Sequence, residues 1–173
     1  GIKPSGPVIV YWPALVDSKF IKEHIHVDGK IIDVIPTSQL NLEEKYYQKI
    51  PYENPKISID NLKEDYFGKI FGTRSGDKGG CANLGVWAKS QEAYSFLFDF
   101  LTVKKLKELL PDLEKFEIDR FELPNIYSLN FYVHGILQDG VSSSTRMDGQ
   151  AKSLGEYLRA KKINFPEQLL KQI

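Results

Sequence analysis

The sequence predicts an α+β sandwich, with helices packed on one face of a largely antiparallel sheet, and three observations carry that reading. From residue 66 onward, apolar runs at strand and helix periods follow in the order β, β, α, α, β, β, α, which suits a sheet with segregated helices. Around residues 129–136, Leu129, Phe131 and Val133 fall on one side of a strand while Asn130, Tyr132 and His134 fall on the other, so one sheet face is buried. Finally, 173 residues with 42% hydrophobic and 27% charged content suffice for one core without disulfide or metal staples.

The elements follow in order. Residues 8–11 form a short apolar run. Residues 24–34 place Asp28-Gly29 between HIHV and KIIDV, the strongest short hairpin signal, so a small β-hairpin unit opens the chain. Ser38 caps a short helix that stops before Pro51, and Pro51 to Pro55 is a connector. Residues 1–65 are thus a hairpin and linker extension, and 66–173 the main domain. Residues 66–72 and 82–89 read as strands on either side of a Gly-rich loop. Ser90 caps a helix with Ala93, Leu97, Phe100 and Leu101 at its period; Thr102 starts another with Val103, Leu106, Leu109 and Leu110, ended by Pro111. Residues 116–123 and 129–136 are two strands joined by Pro124-Asn125, and Asp148 caps a last helix carrying Ala151, Leu154 and Leu158.

Charge removes several classes of function. Lys+Arg and Asp+Glu number 23 each, so the broad positive field required for nucleic acid or an anionic membrane is missing. The aromatics Tyr46, Tyr47, Tyr52, Tyr66 and Phe67 then read as packing residues. A single cysteine, Cys81, precludes an intrachain disulfide and fits a reducing, cytoplasmic setting. No apolar run approaches the roughly 20 residues of a membrane span, and no signal-type stretch opens the chain. A start at Gly1 suggests a cleaved tag or a piece of a longer polypeptide.

Two segments carry chemistry. In TRSGDKGGCANLG, Arg74, Ser75, Gly76, Asp77, Lys78, Gly79 and Gly80 combine a guanidinium fork, a point charge and open backbone, which together suit an anion; the plain alternative is a solvated turn. The spacing matches neither a Walker loop nor a GxGxxG fingerprint. In GVSSSTRMD, Ser144 and Arg146 precede a helix N-terminus, where carboxylate or phosphate oxygens are attracted, or where capping alone is served. His134 and Asp77 are the candidate acid-base groups, His134 because its ordinary pKa lies near neutrality. His24 and His26 lack a third metal ligand, Cys81 reads as a small buried apolar residue, and no cofactor fingerprint is visible.

The strings TRSGDKGGCANLGV, ELPN, LNFYVHGIL and DGVSSSTRMDGQAKSL resemble, in the same order, the motifs of the C-terminal domain of the acyclic terpene utilisation AtuA family, across about residues 72–170. The resemblance implies a ferredoxin-like fold, and adds Asn83, Asn125 and Asn130 to the ligand-binding set. It also implies a setting in terpenoid or acyl-CoA breakdown, beside biotin-dependent carboxylases. Cys81 departs from the polar residue expected there. The expected function is an accessory domain binding a carboxylate or CoA-type anion. One alternative is an assembly module docking an AtuA N-terminal domain, carboxylase subunits or a second copy of itself. The other is a hydrolase or lyase acting on an acyl-CoA.

Overall fold

A computed structural model describes residues 7, 9, 10, 14–34, 52 and 54–171. The expected helix after Ser38 lies outside them. The chain divides into two compact units, residues 12–51 and the remainder.

In the first unit, β1 (Glu23–Val27) and β2 (Lys30–Val34) form an antiparallel hairpin. Asp28 and Gly29 both have positive φ, 47° and 74°, the backbone of a two-residue turn that matches strand twist. Ile25 pairs with Ile32, and both stay half exposed. His24 contacts Asp33 on the other face at 2.8 Å.

The second unit is built on a four-stranded antiparallel sheet: β4 (Gly72–Lys78), β5 (Cys81–Trp87), β6 (Ile118–Leu123) and β7 (Ser128–Val133), in spatial order β4-β5-β7-β6. Because β5 and β6 both run antiparallel to the β7 between them, they are parallel to each other. α2 (Gln91–Phe100) and α3 (Val103–Leu109) connect them, which makes the split β-α-β of ferredoxin-like folds. β3 (Leu62–Tyr66) pairs instead with β8 (Lys162–Pro166) in a separate two-stranded ribbon. The sheet edge beside β5 is therefore filled by its own hairpin partner β4. Three short helices complete the unit: α1 (Phe67–Ile70), α4 (Leu154–Arg159) and α5 (Glu167–Leu170).

Two expectations around β4 are corrected. The run at 66–72 holds a helical turn, α1, because a short apolar stretch does not distinguish strand from helix. The Gly-rich segment is a strand through Lys78, leaving only Gly79 and Gly80 as the turn. Gly79 has φ 62°, and the Gly80 carbonyl accepts from Leu137 N–H at 2.9 Å, so close that a side chain there would overlap the Gln138 carbonyl.

Capping signals translate directly. Ser90 accepts from Ala93 N–H and Thr102 from Lys105 N–H, satisfying donors that a helix start leaves unpaired. Asp148, expected to cap the last helix, instead holds the turn before it, accepting from the backbone N–H groups of Lys152 and Ser153. On the helix side of the sheet, Ala82, Leu84, Val86, Leu129, Phe131 and Val133 are fully buried. α4 lies against β4, and Phe71, Phe96 and Phe165 meet ring to ring within 6.4 Å of one another.

Tyr94 is also fully buried, and its hydroxyl has no hydrogen-bond partner among the described residues. Burial, with Tyr52 and Glu122 adding, pushes its pKa from 10.0 up to about 12. A group whose folded pKa is raised stabilises fully below its unfolded pKa and loses that contribution as pH rises through the folded one. Stability is therefore expected to fall between pH 10.0 and about 12. Urea unfolding at about pH 9 and about pH 11 should show a smaller alkaline loss for Tyr94→Phe than for wild type; equal losses would remove Tyr94 as the cause.

Candidate functional site

The pleat of β4 decides which of its residues can meet a ligand. Alternate side chains point to opposite faces, and the pairing Arg74↔Gly85↔Asn130 and Gly76↔Asn83↔Tyr132 places these residues on the face opposite the helices. Lys78 and Trp87 share that face. Ser75 and Asp77 lie on the other. Arg74, Gly76, Lys78, Asn83, Asn130 and Trp87 accordingly line one open groove of about 440 Å³.

Lys152 reaches the same groove. Its backbone carbonyl accepts from Ser75 Oγ at 3.2 Å on the helix side. Its ammonium lies 3.1 Å from where a Cβ on Gly76 would stand. The side chain thus passes around the sheet edge, and the absence of a side chain at Gly76 leaves the space it enters. Ser75 Oγ also accepts from Gly155 N–H at 2.9 Å, so this buried hydroxyl fixes the start of α4 to β4. Sequence reasoning missed Lys152 as a site residue. Its signal was the lysine in the fourth resembling string.

Among the described residues, neither Arg74 nor Lys152 makes an ion pair, and Lys78 Nζ contacts only the Asp77 carbonyl, at 2.9 Å. Arg74, Lys78 and Lys152 thus line one groove without an ion pair among the described residues, and Glu156, itself paired with Arg159, lines an adjoining groove with Arg74 and Lys152. Asn83 Nδ2 donates to Asn130 Oδ1 at 3.3 Å, which turns a row of amides toward the same space.

The remaining candidates are dispersed. His134 Nε2 sits 2.8 Å from Asp119 Oδ2 at the far end of the open face, with Tyr132 edge-on to its ring. Asp77, the other acid-base candidate, faces the opposite side. Ser144 Oγ accepts from Arg146 N–H at 3.3 Å. Arg146 lines a different groove, with Leu110, Met147 and Tyr157, which shares no residue with that of Arg74. Asn125 is exposed in the turn Pro124–Ile126. Cys81 is only partly buried; its sulfur accepts from Gly135 N–H at 3.4 Å. A hydrogen bond to Cys81, with burial, raises the Tyr132 pKa above its usual value. Among the described residues, no cluster of His, Cys, Asp and Glu could hold a metal, and no helix is long and apolar enough to cross a membrane.

A split β-α-β with one face under helices and the other open among the described residues defines this unit as an α+β domain of ferredoxin-like type. The family model for the AtuA ferredoxin-like domain matches residues 67–164, and the chain belongs to that family. No curated protein and no solved structure matches it.

Proposed function

We propose that this chain is a ligand-binding domain of an AtuA-like protein, holding a carboxylate or CoA-type phosphate on the open face of its sheet. The bond-forming groups are Arg74, Lys78 and Lys152 around Gly76, with the Asn83 and Asn130 amides beside them. The setting proposed with it is catabolism of terpenoid or acyl-CoA compounds, whose acid and CoA-ester forms carry such an anion.

The observation that carries the reading is that three cations without an ion pair among the described residues line one groove, the Lys152 ammonium standing over a position without a side chain. A charge-assisted hydrogen bond contributes about 1.5–3 kcal/mol. Arg74→Ala is therefore expected to weaken inorganic pyrophosphate binding about tenfold or more in calorimetric titration. Added salt should weaken the wild type as well, since exposed charges are screened. Undiminished affinity of Arg74→Ala for pyrophosphate and for acetate would overturn the proposal.

A further inference from the structure

The apolar end of the same groove is built around Trp87. A Cβ on Gly72, its cross-strand partner, would run into three atoms of the indole ring, Cε2, Cζ2 and Nε1. The ring therefore lies flat over the bare Gly72 backbone. Its outer side remains open: Trp87 is 39% exposed, and no described ring or cation stacks on it. A rigid aromatic surface facing solvent on an open sheet offers stacking for a planar ring, and such stacking tolerates any base because every base has a π-face.

The spacing to the cations matters. Gly72, under the indole, and Gly76, under the Lys152 ammonium, are four residues apart on one extended strand, about 13 Å. That is the reach from the base to the outer phosphates of an extended nucleotide. Asn130 stands between the two ends, opposite Gly85 and in the Arg74 row. Its Nδ2 is uncommitted among the described residues, since only its Oδ1 is used, and can meet sugar hydroxyls. Three cations also suit a diphosphate better than a single carboxylate. The groove volume, about 440 Å³, lies in the range of small-molecule sites.

We infer that the groove binds a nucleoside diphosphate moiety, its base stacked on Trp87 and its phosphates held by Arg74, Lys78 and Lys152. This rests on the anion site proposed above and assigns it a ligand class. Free nucleotides and the nucleotide portion of coenzyme A share this chemistry.

The test uses the full chain with Trp12→Phe, so that Trp87 is the remaining tryptophan, titrated with ADP, coenzyme A, pyrophosphate and decanoate. ADP is expected to bind about tenfold more tightly than pyrophosphate and to quench Trp87 fluorescence. Trp87→Leu keeps an apolar side chain but loses the flat ring, and should abolish that gain while leaving pyrophosphate affinity intact. Trp87→Phe should retain most of it. Coenzyme A binding more tightly than ADP would identify the carrier form as the source, and equal affinities the free nucleotide. Equal binding of ADP and pyrophosphate, a gain that survives Trp87→Leu, or decanoate outbinding ADP would overturn the nucleotide assignment and leave the anion site standing. Failure of pyrophosphate to bind the wild type at all would overturn both.

Discussion

Gly76→Asp is expected to abolish pyrophosphate binding, with a loss of about a hundredfold or more, while leaving the protein folded. The new carboxylate would arise among Arg74, Lys78 and Lys152 and occupy the space an external anion needs. Two effects act together: the new side chain fills the space the anion needs, and its negative charge offsets one of the three cations. The steric cost is small, because the nearest atom to the new Cβ is the Lys152 ammonium at 3.1 Å, the free end of a flexible chain. Gly76→Ala separates the two effects, since it adds volume without charge and should weaken binding much less. Calorimetry of both variants reads the difference. Wild-type affinity in Gly76→Asp would mean that anions bind elsewhere on the surface.

Phe131→Ala is expected to destabilise the sheet unit by about 3–5 kcal/mol. Phe131 is fully buried in β7, the strand flanked by both β5 and β6, opposite Leu84 on one side and Arg120 on the other. Its removal leaves a cavity beneath the middle of the sheet. A total stability of roughly 5–15 kcal/mol makes this loss a large fraction of the whole. Urea denaturation should show a lower midpoint with an unchanged slope. A shift under about 1 kcal/mol would mean that the surrounding helices collapse to fill the void.

Much of the fold was legible because its signals are local. Ser90 and Thr102 cap helices through bonds to residues three positions on, and the burial of Leu129, Phe131 and Val133 follows from strand period alone. The Asp28-Gly29 turn needs nothing outside itself. The candidate site was half legible. Arg74, Gly76, Lys78, Asn83 and Asn130 are brought together as expected, whereas Ser144, Arg146 and Asn125 are not. The glycines of β4 and its turn misled because they resemble loop residues. Their bare backbones instead make room for partners distant in the chain: the indole at Gly72, the Lys152 ammonium at Gly76, the Gln138 carbonyl at Gly80. Ser75, a ligand candidate in the sequence, lines the groove and also fastens β4 to α4 through its hydroxyl, a role that only the fold reveals.

The fastening of α4 through Ser75 has a kinetic side. The β4-β5 hairpin closes through a two-residue turn, but the bond from Ser75 to the Lys152 carbonyl joins residues 77 positions apart, and such long closures are slow steps in folding. Lys152 arrives with α4, so the cationic site becomes complete only when that late contact forms. An anion held there binds the closed state alone and stabilises it by mass action. An anion bound at the proposed site would therefore act as a latch on the segment that carries Lys152.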